Sequence, residues 1–294
     1  MKSRLLPLLL CLGLLLSGCS TDSGQASGEN SSVYIQNKGS DTIVNLALAW
    51  AERFQTVRPD VRLSVTGGGS GTGITSLING TVDIANASRA IKQEEIDAAE
   101  ANGIIPVEHV IARDAIAVIV NPENPVNELT LDQISQIYRG EITNWKEVGG
   151  EDRPIVRLSR ETNSGTHVYF LEAVLRLGNK NDKAIFTPLT LLLPSSEGII
   201  SETTDNPNAI GYDGLGYVTP GVKVIAVSPG KGEPYVLPSI ETVNNKSYPI
   251  ARDLYMYSKK DASQAVLDYL TWIFTPEAQQ IVSDLGFVPV QTTP

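Results

Sequence analysis

Three short loops rich in glycine, serine and threonine most strongly limit how this chain can fold, because each one follows a predicted strand and opens a predicted helix. They are Gly39-Ser40-Asp41-Thr42, Gly67 to Gly73 (GGGSGTG) and Arg160 to Thr166 (RETNSGT). Alternation of strand, loop and helix is typical of βαβ units, which build parallel-rich sheets. The sequence therefore predicts an α/β protein.

The first 18 residues have the layout of a secretory signal peptide. Lys2 and Arg4 precede an apolar run, and Leu16-Ser17-Gly18-Cys19 closes it in the manner of a bacterial lipoprotein signal. We expect cleavage before Cys19 and acylation of this cysteine, including palmitate, so that a lipid anchors the chain to a membrane. Residues 19–32 are polar and glycine-rich, and they predict a flexible tether.

The remaining chain, about 260 residues long, is larger than one hydrophobic core usually requires, which favours two lobes. The apolar, β-branched run from His109 to Val120 predicts a strand that crosses from one lobe to the other, and residues 248–257 predict the return. We expect lobe I to comprise residues 33–112 plus 252–294 and lobe II residues 113–251. The two crossings predict a hinge.

The charge balance excludes some classes of partner. Acidic residues number 33 against 23 basic ones, and aromatic residues make up only 6% of the chain. This composition argues against binding to nucleic acid. Only two histidines are present, and the sole cysteine left after export is Cys19, so we predict no metal site and no cofactor.

The three loops carry the chemistry of a small-oxyanion site. A helix N-terminus presents N–H groups and partial positive charge, glycine lets the backbone approach a ligand, and hydroxyls donate hydrogen bonds. Helix capping is the alternative explanation for each loop, since Ser, Thr, Asp and Asn are the usual caps. The loop GGGSGTG lacks the lysine of a Walker A motif and does not fit G-x-G-x-x-G.

Two charged residues sharpen the prediction. Arg160 offers a guanidinium fork that matches a tetrahedral oxyanion. Asp41 would repel an anion unless the anion carries a proton that it can donate, which monohydrogen phosphate does and sulfate does not. Arg89 could pair with Asp41, reach the ligand or be solvated.

In this order, the three loops resemble those of the bacterial phosphate-binding proteins of phosphate ABC importers, which have a type II periplasmic-binding fold with the ligand cleft between two lobes and a two-segment hinge. The resemblance extends from Val33 to the end of the chain. It implies a binding protein, not an enzyme, whose partners are inorganic phosphate and the permease and ATPase subunits of the importer. The candidate phosphate-binding residues are Ser40, Asp41, Thr42, Ser70, Gly71, Thr72, Ser88, Arg89, Arg160, Ser164, Gly165 and Thr166.

The sequence departs from the best-known branch of that family at one position. Arg89 stands where that branch has an acidic residue that accepts the proton of phosphate. We hypothesise that Asp41 supplies the acceptor instead, and that Arg89 adds positive charge or orients Asp41.

Three other functions compete with phosphate binding. A binding protein for another oxyanion, such as sulfate or molybdate, fits all of the loops, and only Asp41 argues against it. An adhesin or matrix lipoprotein would leave the loops unexplained. A hydrolase would need Ser70 or Ser164 as its nucleophile, but the motif G-x-S-x-G is absent. We expect a monomer held outside the cytoplasm by its anchor, in the periplasm or at the cell surface.

Overall fold

The computed structural model describes residues 32–290, and the predicted signal peptide, the lipidated Cys19 and the tether up to residue 31 lie outside these residues. The strands are β1 (Val33–Gly39), β2 (Val61–Thr66), β3 (Ile84–Ala87), β4 (Pro106–Val120), β5 (Glu128–Thr130), β6 (Val156–Arg160), β7 (Leu191–Leu193), β8 (Ala209–Gly214), β9 (Lys223–Val224), β10 (Ala226–Ser228), β11 (Ala251–Lys259) and β12 (Val288–Pro289). The helices are α1 (Asp41–Val57), α2 (Ser70–Ile78), α3 (Gln93–Ala101), α4 (Leu131–Arg139), α5 (Gly165–Phe170), α6 (Ser196–Asp205), α7 (Ile240–Asn244), α8 (Gln264–Ile273) and α9 (Pro276–Asp284).

The main sheet has the strand order β2-β1-β3-β11-β4-β8-β6-β7, with β9 and β12 also paired to β4. Its two flanks are parallel, as the strand–loop–helix alternation predicts: β1 pairs with β2 and β3, and β6 pairs with β7 and β8. The centre is antiparallel, because β11 runs against both β3 and β4, and β4 runs against β8. The parallel-rich prediction is therefore right for the flanks only.

The long strand β4 joins the two halves of the sheet. Its residues 106–115 pair with β11, and its residues 116–120 pair with β8. Continuous pairing is possible because the run from Ile111 to Val120 is almost entirely apolar and buried on both faces.

Two large hydrophobic cores lie along this sheet. One contains Trp50 and Phe54 of α1, together with residues 111–112 of β4 and apolar side chains of α8 and α9. The other begins at Ala115 and contains Tyr138, Phe170 and Tyr212, whose rings pack edge-on or stacked. The change from one core to the other falls between residues 112 and 115 of β4.

The apolar periodicity of the sequence after the third loop predicts one amphipathic helix from Gly165 to Leu177. In the structure, α5 ends at Phe170, and the chain continues as one wider π-helical turn, Leu171–Leu175. Among residues 32–290, no helix is long and apolar enough to cross a membrane.

Candidate functional site

A cluster of five buried hydroxyl groups, which we call the hydroxyl cluster, lies where the glycine-rich loops meet. Thr42 Oγ1 and Thr166 Oγ1 are 2.8 Å apart, although 124 residues separate them in the chain. Ser40 Oγ donates to Ser88 Oγ at 2.9 Å, and Ser70 Oγ lies 3.2 Å from Ser88 Oγ. Each of these residues is at most 2% exposed, so the loops bring their hydroxyls together in the interior of the protein.

Helix capping does not account for the loops of α1 and α2. Ser40 occupies the N-cap of α1 without a side-chain capping bond, and Gly69 occupies the N-cap of α2. Capping does account for Ser164, whose Oγ accepts from the backbone N–H groups of Thr166 and His167. The hydroxyls of Ser40 and Ser70 are therefore free to serve another purpose.

Arg252 adjoins the hydroxyl cluster directly. Its Nη2 donates to Thr166 Oγ1 at 2.9 Å and to Asp114 Oδ2 at 3.0 Å, and it lies 3.4 Å from Thr42 Oγ1. Its Nη1 donates to the carbonyl oxygen of Ser88 at 2.9 Å. Arg252 is opposite Asp114 in the register of β11 on β4, so the sheet fixes this ion pair.

Arg160 lies at the end of β6, and its guanidinium is held by other groups. Nη2 donates to Asp41 Oδ2 at 2.6 Å and to the carbonyl oxygen of Pro194, and Nη1 donates to Ser196 Oγ at 2.8 Å. Asp213 Oδ2 is 3.6 Å from Nη1. The Arg160 side chain is only 1% exposed, so Asp41 and Asp213 balance a buried charge.

The loop from Gly67 to Gly73, which we call the glycine loop, is clasped by the third loop, Arg160 to Thr166. Gly71 N–H donates to the carbonyl oxygen of Asn163 at 3.0 Å, and Asn163 Nδ2 donates to the carbonyl oxygen of Gly68 at 3.0 Å. A Cβ at Gly165 would lie 2.3 Å from Ser70 Oγ, so this position requires glycine. The clasp brings two loops that are about 90 residues apart in sequence into direct contact.

Not every candidate residue lies at the hydroxyl cluster. The sequence allowed Arg89 to pair with Asp41, but its guanidinium makes a bidentate pair with Glu95 instead, at 2.6 and 2.8 Å. The idea that Arg89 orients Asp41 is therefore wrong. Thr72 Oγ1 has only a 3.5 Å contact with Asn163, at the rim of the clasp.

Asp41 also has partners that the sequence did not predict. Its Oδ1 accepts the N–H of Gly68 at 2.9 Å, and its Oδ2 accepts from Arg160. Its carbonyl oxygen accepts from the hydroxyl of Tyr217 at 2.6 Å. These contacts give Asp41 the role of linking the first loop to the second loop and to Arg160.

The sequence interpretation missed Arg252, Asp114, Asp213 and Ser196, all of which are buried near the loops. The first three lie within strands instead of loops, and no short motif surrounds them. The one available signal was a charged residue inside an otherwise apolar strand, as in Ala112-Arg113-Asp114-Ala115. A buried charge is rare without a partner or a function.

The geometry of a serine hydrolase is absent from the described residues around His167. His167 Nδ1 faces Ser159 Oγ at 3.0 Å, while Ser164 Oγ caps α5. Burial lowers the pKa of the His167 imidazole, and its ring packs on Phe186. His167 thus serves as a packed, neutral side chain next to Thr166.

Buried hydroxyls, two guanidiniums and helix N-termini make a set of donors suited to a small tetrahedral oxyanion. A family model described as PBP superfamily domain matches residues 24–277. The phosphate-binding protein PstS of Bacillus subtilis is 32% identical over 92% of this chain and 85% of its own length. The chain belongs to the PBP superfamily and, within it, to the phosphate-binding protein family.

Solved structures agree with this assignment. A phosphate ABC transporter substrate-binding protein from Clostridium perfringens, with bound phosphate, is 36% identical, covers 88% of this chain and all of its own, and superposes with a TM-score of 0.79. A phosphate transport receptor from Vibrio cholerae is 27% identical over 87% of this chain, with a TM-score of 0.69. The predicted type II periplasmic-binding fold is confirmed. Since the family consists of substrate-binding proteins, the prediction that the chain is not an enzyme is confirmed as well.

Proposed function

We propose that this chain binds inorganic phosphate outside the cytoplasmic membrane and delivers it to the permease and ATPase subunits of an ABC importer. The observation that carries the proposal is the hydroxyl cluster, with Arg252 in direct contact with it and Arg160 bonded to Asp41, which lies between Ser40 and Thr42 in the first loop. These five buried hydroxyls bond to one another, to Arg252 and to the backbone N–H of Ser88, and they can turn their O–H groups toward an anion. The bound phosphate in the Clostridium perfringens relative supports the same ligand.

We assign the proposed phosphate site to a smaller set than the sequence suggested. We add Arg252 because of its contact with Thr166, and we remove Arg89 because Glu95 holds its guanidinium. We also remove Thr72, whose hydroxyl has only a 3.5 Å contact with Asn163. The residues we propose to surround phosphate are Ser40, Asp41, Thr42, Ser70, Gly71, Ser88, Arg160, Ser164, Gly165, Thr166 and Arg252.

The experiment is a calorimetric titration of a soluble form that begins at Ser20, stripped of bound anion, with phosphate and then with sulfate and molybdate at neutral pH. All packed elements described above lie after residue 31, so this form retains them. We expect one phosphate per chain and a much weaker response to sulfate. Equal binding of sulfate or molybdate would indicate a general oxyanion receptor, and no binding of any anion would reopen the adhesin interpretation.

We also propose that a lipid on Cys19 anchors the exported protein and that it acts as a monomer. The lipoprotein-like signal before Cys19 supports the anchor. Labelled palmitate should be incorporated into the full chain and not into the Cys19→Ser variant. Light scattering of the soluble form should give the mass of one chain.

The lobe limits, residues 33–112 plus 252–294 and residues 113–251, stay a proposal. The change of hydrophobic core near residues 112–115 of β4 supports them. Distances between pairs of spin labels would test these limits. On addition of phosphate, we expect the distance between two labels in the same lobe to change little and the distance between labels in different lobes to change more.

A further inference from the structure

The buried charges around the hydroxyl cluster do not balance. Asp41, Asp114 and Asp213 face Arg160 and Arg252, so three carboxylates oppose two guanidiniums in this region. The side chains of Asp114 and Asp213 are fully buried, and that of Asp41 is 15% exposed. A divalent anion that binds here would add to an existing excess of negative charge. Buried groups in this situation commonly take up a proton.

The three carboxylates differ in how well their ionised forms are stabilised. Asp41 accepts hydrogen bonds on both oxygens, from Gly68 N–H and from Arg160. Asp213 Oδ1 accepts from Ser196 Oγ at 3.0 Å and from a backbone N–H at 2.7 Å. Asp213 Oδ2 has no hydrogen-bond partner among the described residues and lies 3.6 Å from Arg160 Nη1. Asp41 and Asp213 therefore each have two hydrogen-bond donors.

Asp114 has less support. Its Oδ2 accepts from Arg252, and its Oδ1 has no hydrogen-bond partner among the described residues. A Cβ on Gly214 would lie 2.9 Å from Asp114 Oδ2 and 3.1 Å from Oδ1, so the backbone of β8 lies close to both carboxylate oxygens. Of the three carboxylates, Asp114 has the fewest hydrogen-bond donors, so its ionised form is the least stabilised, because a buried acceptor without a partner costs more when it carries charge.

Asp114 would also share its one donor with the ligand. The same Nη2 of Arg252 that bonds to Asp114 Oδ2 also bonds to Thr166 Oγ1 and lies 3.4 Å from Thr42 Oγ1. An anion held by these threonines would draw on the positive charge that keeps Asp114 ionised. Ligand binding and ionisation of Asp114 therefore oppose each other.

The other ionisable groups that face Asp114 bring no positive charge. Asp213 lies on β8, Tyr169 on α5 and Tyr248 just before β11, and both tyrosines have a pKa raised by burial. Burial, opposed by Arg252 and aided by Asp213, raises the pKa of the Asp114 carboxyl to about 6. Asp114 is then mostly ionised at neutral pH before the anion binds, and so is able to accept a proton.

We propose that Asp114 takes up a proton from solvent when a divalent oxyanion binds at the hydroxyl cluster, so that phosphate binding is coupled to proton uptake through Arg252. The proton adds to the carboxylate of Asp114, and no other bond is made or broken. This inference rests on the proposed phosphate site and deepens it. It assigns the linked proton to a residue other than Asp41, whose two oxygens already accept hydrogen bonds.

The experiment is calorimetric titration of the soluble form with phosphate at several pH values between 6 and 8.5, each in three buffers of different ionisation enthalpy, so that the slope gives the protons taken up per phosphate. Near pH 7.5 we expect the wild type to take up about one proton more than Asp114→Asn. The affinity for phosphate should fall with rising pH in the wild type more steeply than in this variant. The difference should reach up to about tenfold in affinity per pH unit. Comparison at the same pH cancels the proton equilibrium of phosphate itself.

The matched control is Asp213→Asn, which removes the other fully buried carboxylate and should keep the wild-type proton number. Equal proton numbers for wild type and Asp114→Asn would overturn the proposal, as would loss of the linked proton only in Asp213→Asn.

Should Asp114→Asn fail to fold, the carboxyl ¹³C chemical shifts of the wild-type aspartates provide a second test. Protonation of Asp114 on phosphate addition supports the proposal, and an unchanged shift overturns it. Absence of any phosphate binding by the wild type would instead contradict the proposed function.

Discussion

Arg160 and Arg252 are both buried beside the hydroxyl cluster, but the protein holds them differently. Arg160 belongs to the third loop, and its guanidinium is engaged by Asp41, Ser196 and a backbone carbonyl. Arg252 comes from the middle of β11 and donates directly to Thr166. The arginine that a local motif indicates is thus held by protein groups, while the arginine that contacts the hydroxyls comes from a distant strand.

The difference shows two ways of fixing a cation in an interior. A loop arginine needs partners from several segments, since a loop alone does not orient it. For a strand arginine such as Arg252, the register of the neighbouring strand already places Asp114 opposite it, and Ser88 and Thr166 supply further acceptors. Burial of an arginine is tolerated in both cases because a carboxylate and further acceptors surround it.

The largest effect is expected from Arg252→Met. It removes the guanidinium beside the threonines, and loss of a buried charged contact with an anion costs at least about 2 to 3 kcal/mol of binding, so phosphate affinity should fall at least about 100-fold. The variant also leaves Asp114 without its donor, which should lower the stability of the fold by about 3 to 5 kcal/mol. Calorimetry measures the loss, and circular dichroism verifies the fold. The control is Arg113→Met, whose side chain reaches Asn244 on the outer surface and should leave affinity unchanged. A similar loss in both variants would contradict the special position of Arg252.

Gly165→Ala tests whether the loop itself is as important as the arginines. The new methyl would lie 2.3 Å from Ser70 Oγ and 2.6 Å from Ser88 Oγ, so both hydroxyls must move. Loss of two hydrogen bonds to a charged ligand predicts a reduction in phosphate affinity of about 30-fold or more. Gly230→Ala, where nothing lies within 4 Å of the added carbon, is the control. Normal binding by Gly165→Ala would mean that these hydroxyls do not serve the ligand.

Asp41→Asn addresses the Arg160 side of the comparison. The amide keeps its size but no longer neutralises Arg160, which loses a charge-assisted hydrogen bond worth about 1.5 to 3 kcal/mol. We expect phosphate affinity to fall about tenfold through a less well-fixed guanidinium. The affinity for sulfate should rise by no more than the factor by which the affinity for phosphate falls. Strong sulfate binding by this variant would instead support the first hypothesis, in which Asp41 accepts the proton of phosphate.

The smallest effect is expected from Arg89→Gln. Because Glu95 occupies the Arg89 guanidinium, the change should alter phosphate affinity less than about threefold. It should lower the thermal stability of the protein, because the side chains of this pair are only 10% and 19% exposed. Titration and thermal unfolding measure the two quantities. A loss of affinity as large as that of Arg252→Met would mean that Arg89 belongs to the phosphate site.

How much the sequence could predict depended on distance along the chain. Ser40, Thr42, Ser70 and Thr166 follow strands and open helices, and this local pattern is sufficient to bring them together. Arg252 could not be found in this way, because its role depends on the pairing of two strands about 140 residues apart, and Asp114 has the same origin. The position of Arg89 within a loop favoured a ligand role, but Glu95, six residues further on, is a nearer partner.

The fold followed the same rule. Periodicity predicts the helices and the two parallel flanks, since each depends on neighbouring segments. The antiparallel centre depends on the direction in which the chain returns at β11, and no local pattern carries that information. The π-helical turn after Phe170 likewise reflects packing of the second core, which helical periodicity does not report.

The uninterrupted strand β4 has a mechanical consequence. A rotation of one core against the other cannot occur about a free loop here, because β4 is hydrogen-bonded to β11 before residue 115 and to β8 after it. The motion must instead be a twist of β4 that is spread over several peptide units and that the strand resists elastically. We therefore expect the opening between the two cores to be small and to close quickly. We also expect the amides of β4 near Ala115 to exchange with deuterium more slowly than those of the loop from Gly67 to Gly73.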